Sequence, residues 1–434
     1  MLVMLIVGCL ALTSASVANA DDAYVLPKGR TSVAVENRFF FPIEDRFGPN
    51  GKAEPLASAF DNRALDSSVF SSLSPLNALV GGRASIGDAT VHFKYSYDIL
   101  SLTAAYGITD RLTVGVDVPY YWVHNDVQAE VNSGPGSSAN VGLRTGPGLG
   151  PCAIPAPVLP LACPNTRRFT TQDVQQLLGP GLSGIPGFGF KPVKDFTADG
   201  LGDITLGAKY QYLRTEDWRL AVGGGVRFPT GRPDDPDNLA DIFWSTGAYA
   251  LLARFHNDFV LSNLWQPTPT PPGFPISRTG DVILDFTFRY DWVLPDDVTI
   301  RTGPENSLPT SRARVTRDIG DKFEFEVSGR YIIWSPLVIS ALYRYGFKLE
   351  DRVSGPPGFP QNFAEKDTDS TEQLYIIELA YSTVPAYMQG RFPIPMNAWV
   401  SYRDRFAGSG PANLGSPSQV LKSRYISVGL QVVF

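Results

Sequence analysis

Residues 281–292 read Asp-Val-Ile-Leu-Asp-Phe-Thr-Phe-Arg-Tyr-Asp-Trp. Val282, Leu284, Phe286, Phe288, Tyr290 and Trp292 fall at every second place, while Asp281, Asp285, Thr287, Arg289 and Asp291 stand between them. Successive side chains of an extended chain point to opposite faces, so this stretch reads as a strand with one apolar and one charged face. The pattern recurs. In residues 323–333, Phe323, Phe325, Val327, Tyr331 and Ile333 alternate with Glu324, Glu326, Ser328 and Arg330. In residues 337–349, Leu337, Ile339, Ala341, Tyr343, Tyr345 and Phe347 alternate with Ser340, Arg344 and Lys348.

A soluble sandwich alternates in the same way. Three further features point instead to a transmembrane barrel. First, strands come in pairs with tight connections at Thr109-Asp110, Arg214 to Asp217, His256-Asn257, Leu294 to Asp297 and Ser335-Pro336. Long connections separate the pairs, at 42–87, 125–199, 230–240, 267–279, 303–321, 351–371 and 407–421. Short periplasmic turns alternating with long external loops are the layout of an outer-membrane barrel. Second, Tyr425 to Phe434 forms one more alternating strand, with Ile426, Val428, Leu430, Val432 and Phe434 on a lipid-facing side. A closing strand with a terminal Phe resembles the segment that barrel-assembly machinery recognises. Third, Trp122, Trp218, Trp244, Trp265, Trp292, Trp334 and Trp399 sit near strand ends. Indole rings favour the membrane interface, and barrels carry aromatic girdles at both rims.

Fourteen strands are predicted, at about 31–41, 88–108, 111–124, 200–213, 218–229, 241–254, 258–266, 280–292, 297–304, 322–333, 337–349, 372–384, 395–406 and 422–434. If 258–266 and 297–304 do not cross, the count is twelve. A change of phase near Asp98-Ile99 reads as a bulge. The fold expected is therefore all-β, a closed antiparallel transmembrane barrel with long extracellular loops. Closure has a physical cause: lipid offers no hydrogen-bond partner to an open sheet edge.

Composition narrows the function. The chain has 434 residues, 43% hydrophobic and 18% charged, with a formal charge of −6, so no basic excess points to nucleic acid. Its 41 Gly and 36 Pro supply many turns. Only three histidines are present, His92, His124 and His256, and none has an adjacent serine motif or a metal-ligand spacing. Gly223-Gly224-Gly225 lies within a strand and is no phosphate loop. No catalytic residue, cofactor or metal is assigned, and the chain reads as a non-enzyme.

Residues 1–20 resemble a signal peptide, with an apolar run to Leu12 and a small-residue cleavage pattern at Ala18-Asn19-Ala20. No Lys or Arg precedes the run, which departs from the usual leader. The alternative of a lipoprotein at Gly8-Cys9 fits poorly with Ile6-Val7 before it. Residues 21–434 then form a single barrel domain. Export also bears on Cys152 and Cys163, which read as a disulfide in an oxidising compartment, with two free thiols as the alternative.

Two loops are candidates for gating. Loop 125–199 holds the cysteine pair and a short helix capped at Thr170-Thr171-Gln172-Asp173 and stopped by Gly179-Pro180. Loop 42–87 contains Val69, Phe70, Leu73, Leu76, Leu79 and Val80, unusually apolar for a loop in water. Each reads either as folded into the mouth or as covering the rim. Strand parity puts Asp281, Asp285, Arg289, Asp291, Glu324, Glu326, Arg330, Arg344, Lys348 and Glu378 on the lumen side, with Glu36 and Arg38 beside them. Mixed charge there fits a wall of ion pairs, or a selectivity zone for polar solutes.

Two segments carry a family likeness. Tyr106 to Tyr120 (YGITDRLTVGVDVPY) is a strand, tight turn and strand; Gly200 to Tyr210 (GLGDITLGAKY) follows, and its hairpin ends in Phe228-Pro229-Thr230-Gly231. This order resembles the outer-membrane proteins grouped as the MetA-pathway of phenol degradation family. The resemblance implies a channel associated with uptake of aromatic or other hydrophobic compounds. A broader likeness is to the fatty-acid and toluene transporter barrels, which have fourteen strands and an N-terminal plug. Here residues 21–30 span at most ~35 Å when extended, too short to form such a plug. The function expected is passive uptake of a small-molecule substrate across the outer membrane, with outer-membrane lipid and the assembly machinery as partners and no nucleic acid. The alternative is a closed structural or adhesive barrel that presents its loops.

Overall fold

The computed structural model describes residues 22–144, 150–153, 165–182, 185–266, 278–302, 310–334, 336–411 and 419–434. Twelve antiparallel strands close into one ring. They are β1 (Thr31–Phe40), β2 (Ser85–Thr109), β3 (Leu112–Asn132), β4 (Ile204–Arg214), β5 (Trp218–Phe228) and β6 (Ala250–Val260). The ring continues with β7 (Val282–Val293), β8 (Lys322–Trp334), β9 (Leu337–Lys348), β10 (Ser370–Ser382), β11 (Met396–Ser409) and β12 (Arg424–Val433). Each strand pairs with its chain neighbour, and β1 pairs with β12 from Ser32 opposite Val433 to Phe40 opposite Tyr425. Both ends of the ring strands' path therefore lie at one rim, here the turn end.

Alternation sets the two faces. Val35, Phe39, Leu102, Phe286, Val327 and Val400 point outward and are exposed, while the residues between them are buried or half-buried. Only contact with lipid makes such a continuous apolar outer belt stable. Trp122, Trp218, Trp265, Trp292 and Trp334 belong to the exposed set. Trp399 does not. It points into the barrel, 9% exposed, and lies over Gly429, where an added Cβ would stand 2.0 Å from its ring. Trp244 stacks on Tyr121 in the loop region and donates its indole N–H to the Leu201 carbonyl.

The ring holds the lower of the two predicted counts. The stretches 241–254 and 258–266 are not two strands around a turn. β6 runs straight through His256 and Asn257, because His256 faces the interior, fully buried, where a polar residue needs no turn. The stretch near 297–304 leaves the ring. Asp296–Thr302 instead pairs with Ser311–Asp318, which pairs with Arg352–Ser354, in a small sheet beyond the barrel. Leu294 to Asp297 is accordingly no tight turn. The strand ends on either side of 267–279, Val260 and Val282, lie at the turn end, since β6 runs toward that rim and β7 runs back from it, so this is no external loop between strand pairs. The register of β2 passes through Asp98 and Ile99 without a shift, so no bulge sits there.

β2 and β3 are the longest strands and rise past their neighbours as a hairpin. Two further strands join the hairpin's upper part, Arg63–Asp66 against β2 and Phe196–Leu201 against β3. The loops pack on it as a cap. One apolar core joins Phe70, Leu73, Ile86, Val141, Val174 and Leu177; a second joins Ile43, Leu56, Phe93, Tyr95, Val123 and Ile242. Of the apolar residues of loop 42–87, Phe70 and Leu73 are thus buried and Val69, Leu76 and Val80 pack against the same core, while Leu79 is exposed.

Candidate functional site

A pocket lies in the cap. Helix α1 (Thr171–Leu178) forms one side of it, and its capping box holds: the Asp173 N–H donates to the Thr170 side chain while Asp173 accepts from the Thr170 N–H. Arg167 donates to the Asp173 carboxylate, and this hydrogen bond leads the causes that hold its pKa at about 2. The buried face of the helix carries Val174 and Leu177. Val174 and Leu178 line the pocket with Phe70, Val91, Phe93 and Leu239, and Arg63, Glu130, Thr171 and Gln175 are its polar members. Its volume is about 130 Å³. A dry apolar cavity of roughly 150 Å³ is enough to hold benzene, so this space matches one aromatic ring.

Beneath the cap, the inner barrel wall is charged. Arg289 reaches Glu326 at 3.1 Å and Glu324 at 3.7 Å, and Arg344 reaches Glu326 at 2.7 Å. Lys322 bridges Glu324 and Glu372, both at 2.8 Å. Asp291 accepts from Arg227 and Arg254. The polar faces of β5 to β10 therefore carry an ionic lattice in two parts, one around Asp291 and one around Glu324 and Glu326. Each charge of this lattice has an opposite neighbour, which such a low-dielectric wall requires. Lys348 stands at the loop end, 2.5 Å from Asp351 and within reach of the Thr368 carbonyl, and so anchors the connection 349–369. Glu378 is buried on β10, in register with Ser340 and Ser401.

The turn end is closed by a feature that sequence reasoning missed. Residues Asp22 to Leu26 enter the barrel, with Asp22 4% exposed and Ala23 0%. The Ala23 N–H donates to Asp258, and the Leu26 N–H donates to Thr113. Lys209 donates to the Asp22 carbonyl and Gln211 to the Ala23 carbonyl. Arg330 ties the segment to the wall: it binds Asp285 at 2.6 and 2.9 Å and Asp22 at 3.0 Å. Asp281 caps the same end, accepting from Ser262 and the Arg278 N–H. The sequence expectation that so short a segment cannot plug the barrel is corrected here. It does not cross the bore; it enters one rim of a narrow, twelve-stranded ring already lined with polar partners.

Cys152 lies in the strand Gly150–Ala153, with Arg144 3.3 Å from its sulfur. Cys163 lies outside the described residues, as does the predicted signal segment 1–20. His92 and His124 face outward, His124 against Thr197.

The family described as the MetA-pathway of phenol degradation matches residues 168–263. A search of curated proteins finds no match. Among solved structures, the chain is similar to the COG4313 outer membrane channel from Pseudomonas putida F1, at 12% identity over 96% of this chain and 100% of that one, TM-score 0.47. It is also similar to the Ralstonia pickettii toluene transporter TbuX, at 12% identity over 94% and 90% of the two chains, TM-score 0.32. A Pseudomonas aeruginosa FadL homologue is 10% identical over 96% and 93%, TM-score 0.32.

Proposed function

We propose that this chain is an outer-membrane channel that takes up small hydrophobic or aromatic molecules from the loop side. One observation carries the reading: a ring-sized apolar pocket is held over the loop end of a closed barrel. The family-matched stretch 168–263 includes Thr171, Val174, Gln175, Leu178, Val193 and Leu239, which form one side of that pocket. A molecule captured there leaves water at the cap and is presented to the barrel interior. Asp281, Asp285, Arg289, Glu324, Glu326, Arg330, Arg344, Lys348 and Glu378 line the barrel on this reading, stiffening its wall. The docked segment Asp22–Leu26 keeps the turn end shut to ions until it moves. A Cys152–Cys163 bridge restrains the cap loop, and the strand ending at Phe434 is the signal to the assembly machinery.

The closed turn end favours a second reading, a permanently shut barrel that only presents its loops. Uptake separates the two. Radiolabelled toluene is supplied to cells with a lipopolysaccharide outer leaflet, expressing either the chain or its Val174→Glu variant. Faster uptake with the chain, lost in the variant, supports the channel. Uptake equal to that of cells lacking the chain leaves the shut barrel.

A further inference from the structure

Arg403 stands apart from the ionic lattice. It projects from the inner face of β11, whose buried positions Asn397, Trp399 and Ser401 precede it at every second place. Two carboxylates of the wall are already shared between cations. Glu326 is shared by Arg289 and Arg344, and Glu372 by Lys322 and Arg405. Among the described residues, Arg403 has no carboxylate within ion-pair distance, and its Nε has no hydrogen-bond partner. Across the belt, Arg38 is held by Glu36 at 2.6 Å. Arg403 is therefore a surplus cation among the described residues of the loop-side lumen. A half-buried guanidinium without an anion is costly, and a buried unsatisfied polar group calls for a partner.

Its contact is aromatic. The guanidinium carbon lies 5.3 Å from the ring centre of Tyr425. Tyr425 is opposite Arg403 in the register of β11 and β12, and Phe40 is opposite Tyr425 in that of β12 and β1. The Phe40 and Tyr425 rings are 4.7 Å apart, and Tyr97 on β2 follows at 5.7 Å from Phe40. Four successive strands thus set one cation beside three inward-facing rings. Phe40 and Tyr97 also pack against the cap core that contains Phe93, which is itself part of the pocket lining. The belt consequently adjoins the cap pocket.

We propose that Arg403 and this belt form a lumenal subsite for an aromatic carboxylate, a compound of the benzoate or phenylacetate class. The guanidinium offers a planar pair of donors that matches a carboxylate in bidentate fashion, which an ammonium or an amide does not. The rings supply offset or edge contacts to the aromatic body. Neutral hydrocarbons engage the rings alone, so the cation selects the acid. The inference deepens the uptake reading and rests on it only for the direction from which the ligand arrives.

The test is equilibrium binding, which requires no open pore. Full mature chain, refolded in detergent and checked by heat-modifiable gel migration, is titrated with benzoate and with benzyl alcohol, its neutral counterpart. Affinity is read by saturation-transfer NMR competition. The wild type is expected to bind benzoate at least tenfold tighter than benzyl alcohol. Arg403→Gln should abolish that preference while leaving benzyl alcohol unchanged, and Arg403→Lys should keep part of it. Equal benzoate affinity in wild type and Arg403→Gln, or no benzoate binding to folded wild type, overturns the subsite. Failure of the toluene uptake assay with benzoate selectivity intact overturns the channel reading and leaves the subsite standing.

Discussion

Replacing Asp22 by alanine is expected to release the N-terminal segment without loosening the barrel. Asp22 and Arg330 meet at 3.0 Å with side chains 5% and 10% exposed, so solvent screens the pair little. A hydrogen bond to a charged partner contributes about 1.5–3 kcal/mol. Arg330 keeps Asp285 at 2.6 Å and Asp258 at 3.7 Å, so no uncompensated charge is left in the wall. The lost energy falls on docking alone, which corresponds to a roughly 10- to 150-fold weaker hold. The assay is hydrogen exchange by mass spectrometry on the refolded mature chain. The Ala23 and Leu26 amides report docking directly, because each donates to a wall residue. Their protection should fall by that factor while amides of β7 and β8 stay unchanged. Unaltered protection at Ala23 and Leu26 would refute the assigned role of the pair. Equal loss in β7 and β8 would show that Asp22 supports the wall rather than the segment.

Two further outcomes are expected. Gly429→Ala places a methyl group 2.0 Å from the Trp399 ring and should cost about 3 kcal/mol or more; Trp399→Leu in the same chain should recover most of it, as read from urea midpoints in detergent. In the cap, burial, with Asp241 and Asp235 nearby, pushes the pKa of Asp234 up to about 7 from an ordinary 3.8, against Arg317 and Arg232. Because the folded cap holds this proton more tightly than the unfolded chain, its contribution is full below the ordinary value and lost as pH rises through about 7. Protease cleavage of the cap should be slower at pH 5 than at pH 8, and Asp234→Asn should flatten the difference; an unchanged pH dependence in that variant would count against Asp234 as its source.

Much of the barrel was legible because lipid and lumen impose opposite demands on neighbouring residues. That contrast is sharp over most of β7 and β8, where Asp285, Arg289, Asp291, Glu324 and Glu326 alternate with apolar residues. It misled at His256-Asn257, since a polar pair reads as a turn unless the interior is known to be polar. It also misled at 297–304, because period two marks a strand and not membership of the ring. Aromatic residues were the other blind spot. Trp399 faces inward although the girdle argument puts tryptophans at the membrane interface, and the inward meeting of Phe40, Tyr97 and Tyr425 was not read from the sequence. The cap pocket was half visible: Phe70 stood out as an apolar residue in a loop, and the capped helix after Thr170 was marked in the other loop. Their meeting depends on long-range packing that no local pattern encodes. The docking of Asp22 to Leu26 was hidden for the same reason.

The seam between β1 and β12 has a consequence for how the molecule is made. It joins Ser32 to Val433, near opposite ends of the chain. Bringing together points separated by ~400 residues costs on the order of 5 kcal/mol of chain entropy. Non-local pairing of this kind also forms slowly. Until the ten residues of β12 arrive, β1 remains an open edge, able to template pairing with other chains. Synthesis halted just before Arg424 would yield no slightly weaker barrel, but an eleven-stranded sheet with two unpaired borders that lipid cannot accept. The arrival of β12 thus decides between assembly and aggregation for the eleven strands before it.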